Sequence, residues 1–268
     1  MIVTLLTDFG DRDVFVGTMK GVILGICPEA RLVDLGHQVE PGDIAAGAFL
    51  LRAAVRYFPL GTVHLAVVDP GVGGERRPIA LTAGEHRFVG PDNGLLWPAA
   101  ALLAGSGTPA ARLLTHPAYR LSEVSATFQG RDLFAPAAAH LARGADWESL
   151  GPAVTDPVRW EPPVPCRQTD GVTGEILWID RYGNAITNLT PSDAHALGPG
   201  WVAEVAGLRL APATHYAAVP AGEPLVLLGS LGTYEIAVNR GSAAERLGLR
   251  RGDSVRLLPL SGARKLLL

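Results

Sequence analysis

The stretch Leu65-Ala66-Val67-Val68-Asp69-Pro70-Gly71-Val72-Gly73-Gly74-Glu75-Arg76-Arg77 constrains the fold more than any other part of this chain. Four consecutive apolar residues, Leu65 to Val68, read as a strand buried on both faces, the kind parallel sheets use. Pro70 cannot extend a ladder and Gly71 permits a sharp turn, so the strand ends at Asp69. A carboxylate is thereby set at the carboxyl end of a core strand, the edge where open α/β sheets bind ligands. Three glycines let the following backbone approach a ligand closely, and Arg76 lies a short turn beyond the carboxylate. The same residues, read locally, also describe a structural turn with an exposed arginine.

The flanking pattern gives that strand a context. Strand patterns at 2–6, 31–35 and 62–68 alternate with helical patterns at 14–26 and 43–57. Two further strands, 78–83 and 86–89, surround Gly84-Glu85, and helical stretches follow at 95–103 and 134–142. This alternation predicts an α/β N-terminal domain with a mainly parallel central sheet, residues 1–160. Prolines cluster across 156–167 and mark a boundary. Beyond it, short strand patterns at 174–179, 201–205, 208–210, 224–228, 234–238 and 254–258 are separated by Gly/Pro turns, with one short helical pattern at 191–197. That predicts a smaller antiparallel β domain, barrel or sandwich, over 168–268.

Bulk properties narrow the function. With 268 residues, 48% hydrophobic and 18% charged, the chain is globular rather than disordered. A net charge of -3 gives no electrostatic case for nucleic acid or an anionic membrane. Two cysteines, Cys27 and Cys166, supply neither a disulfide framework nor a Cys-rich zinc site. No apolar run is long enough to span a bilayer, and Met1 runs straight into a strand pattern without a basic leader. The expectation is a soluble, cytoplasmic protein that binds neither nucleic acid nor membrane.

Several motif-like strings fail on context. Asp8-Phe9-Gly10 has too little chain before it to be the magnesium tripeptide of a kinase, and the Gly71 loop lacks the Gly-Lys-Ser/Thr of a P-loop. The histidines, His37 among them, show no ligand spacing. Asp8, Asp11, Asp13 and Asp69 leave open a magnesium-dependent phosphohydrolase. Arg12, Arg76 and Arg77, interspersed among them, argue against a metal.

Seven stretches taken in order carry a resemblance. They are Thr7-Asp8-Phe9-Gly10, Val67-Val68-Asp69-Pro70-Gly71-Val72-Gly73, Gly90-Pro91-Asp92-Asn93-Gly94-Leu95 and Thr127-Phe128-Gln129-Gly130-Arg131-Asp132. The others are Ile179-Asp180-Arg181-Tyr182-Gly183-Asn184-Ala185-Ile186-Thr187-Asn188, Gly229-Ser230-Leu231-Gly232 and Glu235-Ile236-Ala237-Val238-Asn239. Together they resemble the S-adenosyl-L-methionine (SAM) hydroxide adenosyltransferases, or adenosine-forming SAM hydrolases, relatives of the SAM-dependent fluorinases and chlorinases. The resemblance implies an α/β domain followed by a β-barrel domain. It also implies a homotrimer with SAM held between subunits, and hydrolysis of SAM to adenosine and L-methionine with no cofactor.

The resemblance also distributes roles. Asp8 would accept the ribose hydroxyls, a task that suits a short carboxylate in a tight loop. Asn184 would read the adenine edge with its paired donor and acceptor, and Tyr182 would stack on the purine. Asp180 would meet the ammonium of the methionine moiety and Ser230 its carboxylate, with Phe128 and Arg240 as further substrate contacts. The family's catalytic Asp-Arg-His trio maps onto Asp69, Arg76 and residue 129, where this chain has Gln129. Glutamine cannot take a proton, although it can orient a water. The expectation is therefore a slow hydrolase, with a non-catalytic SAM or adenosine binder as the alternative. Halide is disfavoured as the nucleophile because a carboxylate at position 69 repels an anion. That repulsion is on the order of 4 kcal/mol at about 4 Å and an effective dielectric near 20.

Overall fold

A computed structural model describes residues 1–260. The chain forms two compact units, the first ending at Glu161 and the second beginning at Pro162. In the first, the chain runs through β1 (Ile2–Thr7), α1 (Phe15–Ile26), β2 (Arg31–Gly36), α2 (Ile44–Val55), β3 (Val63–Val67) and β4 (Pro78–Ala83). It continues through β5 (His86–Pro91), α3 (Trp97–Ala104), β6 (Ala110–Leu113), α4 (Ala135–Ala142) and β7 (Ala153–Val154). A π-helical turn, Gly130–Phe134, leads directly into α4.

These strands form one sheet in the order β2-β1-β3-β5-β4-β6-β7. The first four are parallel; β4, β6 and β7 add antiparallel. The sheet is thus mixed, and the reason is local. Gly84-Glu85 joins β4 to β5 as a two-residue hairpin, which can only pair its strands antiparallel.

Every residue of β3 is buried, as an unbroken apolar run requires. Val63, Leu65 and Val67 share one core with Val3 and Leu5 of β1, Met19 and Ile23 of α1, and the alanine face of α4. Each such aliphatic side chain contributes roughly 1.5–3 kcal/mol by leaving water. On the other face α2 approaches Val68 closely. A Cβ at Gly47 would stand 2.8 Å from Leu95 Cδ1 and 3.0 Å from Val68 Cγ2, so the helix sits this near only because residue 47 is glycine. The start of α2 is fixed by Asp43, whose carboxylate accepts the Ala46 N–H at 2.9 Å.

The second unit contains β8 (Cys166–Gln168), β9 (Gly171–Ile179), β10 (Ala185–Thr187), α5 (Pro191–His195), β11 (Trp201–Val205) and β12 (Leu208–Leu210). It goes on with β13 (Pro212–Ala213), β14 (Pro224–Leu228), β15 (Tyr234–Val238), α6 (Ala243–Leu247) and β16 (Ser254–Pro259). Strand order is β12-β11-β16-β9-β10-β15-β14-β13, with β8 added on β9. The long β9 pairs with β16 through its first half and with β10 through its second. The strands wrap a main core of Val172, Ile176, Ala185, Val226, Ile236 and Leu257 with their neighbours, and Leu225, Leu227 and Ala237 form a smaller cluster, a nearly barrel-shaped arrangement. The last eight residues of the 168–268 segment lie outside the described residues.

Sequence patterning missed β6, β7, β8, β10, β13 and α6. Strands of two to four residues are too short to display an alternation, and a five-residue helix is too short for a 3.6-residue period.

Candidate active site

Parallel pairing sets Thr7 of β1 opposite Val67 of β3. Both strands therefore end at one sheet edge, where Asp8 and Asp69 leave them. The Asp69 side chain is 4% exposed and Arg76 only 10%. Arg76 Nε donates to Asp69 Oδ1 at 3.0 Å and to Oδ2 at 2.8 Å, and its second guanidinium nitrogen donates to Oδ2 at 2.5 Å. This fork geometry fixes both orientation and charge balance for a carboxylate taken out of water. The same nitrogen donates to Gln129 Oε1 at 2.5 Å, so Asp69, Arg76 and Gln129 form one row. The Arg76 guanidinium also lies 5.2 Å over the Phe134 ring.

The loop between Asp69 and Arg76 is pressed against the segment that carries Gln129. Gly73 has φ +76°, and a Cβ there would collide with the Ala126 carbonyl oxygen. Any other residue at 73 would separate Arg76 from Gln129. Gln129 immediately precedes the π-helical turn, a form of helix found frequently at functional sites. That turn is anchored by buried Asp132, which accepts from Arg131 Nε at 2.5 Å and from the Ser125 N–H at 2.9 Å. Burial alone would raise the Asp132 pKa, but the Arg131 guanidinium and the Ser125 N–H outweigh it and hold the carboxyl below its ordinary range. Phe128 packs edge-on against Phe9 and Phe15, with ring centres 5.9 and 5.1 Å away, and lies beneath the Arg131 guanidinium.

Asp8 is not a helix cap. The first turn of α1 has no side-chain cap, and Asp8 Oδ2 accepts the Gly42 N–H at 2.8 Å instead. Among the described residues no three His, Cys, Asp or Glu side chains gather as a metal-ligand set. Two residues of the Gly90–Leu95 stretch have clear structural tasks. Asn93 donates to the Val68 carbonyl at 2.9 Å, bracing the residue just before Asp69. Asp92, nearly fully buried, accepts from Arg77 and from the Val158 N–H.

In the second unit the Asp180–Asn184 turn closes on itself. Asp180 Oδ1 accepts the Tyr182 and Asn184 N–H groups, each at 2.8 Å, and Oδ2 accepts Asn184 Nδ2 at 2.9 Å. Asn184 is buried, whereas Tyr182 is 78% exposed. Gly183 has φ +81°, and a Cβ there would strike Ser242. The end of the same motif is structural. Thr187 Oγ1 donates to the Tyr234 carbonyl at 2.6 Å, and Asn188 bridges the Glu175 N–H and the Pro163 carbonyl. Ser230 is exposed in the β14–β15 loop, and Arg240 is exposed with φ +58°, a conformation rare for a long side chain. Buried Glu235 accepts from Tyr216 Oη at 2.5 Å. Burial and the nearby Asp180 charge push the Glu235 carboxyl above its usual range.

The structure thus brings Asp69, Arg76 and Gln129 together in one unit, with Asp8 on the same edge. It brings Asp180, Tyr182 and Asn184 together in the other. The model of the SAM hydroxide adenosyltransferase N-terminal domain matches residues 3–151, and that of the C-terminal domain matches 174–256. The chain belongs to the SAM hydroxide adenosyltransferase family. An (R)-S-adenosyl-L-methionine hydrolase of Thermus thermophilus is 44% identical over 263 residues, covering 96% of this chain and 99% of that relative. A fluorinase of Actinoplanes sp. is 28% identical over 95% of this chain and 96% of its own length. Among solved structures, an uncharacterised conserved protein of Thermotoga maritima aligns with a TM-score of 0.88 at 33% identity, covering 96% of this chain and all of its own. Sequence reasoning gave no individual role to Asn93, Gly73 or His37. Only the glycine had a readable signal, its place in a glycine-rich turn.

Proposed function

We propose that this chain hydrolyses SAM to adenosine and L-methionine. The observation that carries the reading is the buried Asp69–Arg76–Gln129 row at the end of a core strand, in a chain 44% identical over nearly its full length to an (R)-S-adenosyl-L-methionine hydrolase. In the reaction a water or hydroxide oxygen bonds to ribose C5′ and the C5′–S bond breaks. Its electron pair goes to sulfur, so the sulfonium leaves as neutral methionine and needs no acid. The proton of an attacking water passes to Asp69 or to solvent.

Catalysis then rests on alignment of that oxygen behind the carbon and on exclusion of bulk water. Arg76 holds the Asp69 carboxylate in one orientation. Gln129, with its carbonyl oxygen committed to Arg76, has its amide N–H groups left to orient the nucleophile. The proposed contacts to SAM are Asp8 on the ribose hydroxyls, Asn184 and Tyr182 on the purine, Asp180 and Ser230 on the methionine end, and Phe128 and Arg240 as further contacts. The proposed form is a cytoplasmic homotrimer of two-domain subunits, 1–160 and a barrel at 168–268, working without a cofactor.

Because Gln129 cannot act as a base, a second reading is a SAM binder with negligible turnover. Incubation with SAM, followed by chromatography of adenosine and methionine, decides between them. Release of both products in equal amounts is expected. Tight SAM binding with adenosine no faster than in buffer would overturn the hydrolase reading.

A further inference from the structure

The Asp8 loop is braced by a residue with no role so far. His37 follows β2 and its side chain is 11% exposed. Its Nε2 lies 3.0 Å from Asp34 Oδ1, and Asp34 in turn pairs with Lys20 of α1 at 2.6 Å. Its Nδ1 lies 2.9 Å from Oγ1 of Thr7, the last residue of β1 and fully buried. The His37 carbonyl also accepts the Gly10 N–H at 2.7 Å, and Thr7 Oγ1 accepts the Phe9 N–H at 3.3 Å.

These bonds have a direction. The Asp34 carboxylate stands beside Nε2 without hydrogen-bond geometry, and its charge favours the ring proton on that side, which leaves Nδ1 as an acceptor for the Thr7 hydroxyl proton. The Thr7 oxygen is then free to accept from Phe9. Lys20, Asp34, His37 and Thr7 thus lie in one row across α1, β2 and β1, and it ends on the Thr7 side chain before Asp8 and the Phe9 N–H after it. Asp8 itself has one further tie, to Gly42. The ring and the carbonyl of His37 both bond to this loop.

We infer that His37 is a positioning residue for the ribose of the substrate, acting through Thr7 and the Asp8 loop. This rests on the assignment of Asp8 to the ribose hydroxyls. Two carboxylate–hydroxyl bonds need a carboxylate held to within a fraction of an ångström, and a loosened loop forfeits them while leaving the reacting carbon's neighbours in place.

The experiment compares SAM with its 2′-deoxy analogue, by calorimetric binding and by nucleoside release. His37→Ala is expected to weaken SAM binding about ten-fold, with kcat within about three-fold, and to narrow the preference for SAM over the deoxy analogue by a similar factor. Thr7→Val should reproduce this, and it provides the test if His37→Ala folds poorly. His37→Asn keeps an acceptor near the Nδ1 position and should restore most of the preference. Equal losses on the two ligands, or no loss in either variant, would overturn the brace. A wild-type protein that binds both ligands equally would remove the ribose from Asp8, and the brace with it. Absence of product, with the variants still narrowing the preference as expected, would count against hydrolysis while supporting the brace.

Discussion

Asp69 and Asp180 are both carboxylates at strand ends, yet the two units hold them by different means. Asp69 is enclosed, and both its oxygens go to one guanidinium brought from seven residues away. Asp180 is satisfied by N–H groups of its own turn, beside a tyrosine that is largely exposed. A buried ion pair needs its partner, because a lone charge out of water is costly. A carboxylate that caps its own turn costs little to keep and leaves lone pairs for a ligand. The contrast suits the proposed division between Asp69 as a rigid reacting group and the Asp180 turn as an adaptable recognition loop.

The most severe way to break this comparison is Arg76→Met. It leaves Asp69 buried without a partner, so the first unit should lose roughly 3–5 kcal/mol of stability. Turnover should fall at least about a hundred-fold. Asp180→Asn, which keeps the acceptor for the backbone N–H groups, should cost no more than about 1 kcal/mol. Chemical denaturation and product release check both, and similar costs for the two variants would erase the distinction.

Acid should separate the units next. His64 is fully buried, bonded to Thr4 at 2.8 Å and placed 3.2 Å from His86, and burial, followed by the His86 charge, lowers its pKa to about 3. The folded form therefore resists a proton that the unfolded chain accepts near pH 6.5. Stability is retained above that pH and lost as pH falls from about 6.5 towards 3, amounting to about 3 kcal/mol at pH 4. The second unit has only exposed histidines, His195 and His215, among its described residues. Hydrogen exchange read segment by segment between pH 7 and pH 4 should show β3 losing protection before β15. Equal loss in both would contradict the assignment.

A smaller effect belongs to the recognition loop. Asn184→Ala should raise KM for SAM about ten-fold while leaving kcat nearly unchanged, as expected for a contact made equally in ground and transition states. The smallest belongs to the row itself. Gln129→His should raise kcat several-fold with little change in affinity, and an unchanged kcat would show that a base at this position does not limit the rate.

How much of this was legible in the sequence follows from the range of each interaction. Leu65 to Asp69 declared a buried strand and its end because both signals lie within a few residues. The alternating elements around it gave the layered unit for the same reason. Arg76 was within reach because only one glycine-rich turn separates it from Asp69. Gln129 stands 53 residues beyond Arg76 and was placed by resemblance alone, since nothing local ties it to that turn. The π-helical turn was invisible because the alanine-rich run into α4 satisfies a helical pattern with or without an extra residue. His37 showed no ligand spacing, and its importance lies in bonds to Thr7 and Gly10 that exist only once β1 and β2 are side by side. In the second unit the sequence reading gave roles to Asp180, Tyr182 and Asn184 and none to Thr187 and Asn188 of the same motif. The structure shows that Thr187 and Asn188 are fasteners, a distinction that composition cannot carry.

The wide turn at Gly130–Phe134 carries a consequence for anyone altering this protein. One surplus residue there offsets everything upstream by about 100° relative to α4, since each residue of an ordinary helix advances by that angle. Excising a single amino acid would let the helix rewind to its regular pitch and swing Gln129 out of line, while every side chain in the row kept its chemical identity. Aim and composition can therefore be edited separately here, and the shortest deletion is the lever for aim.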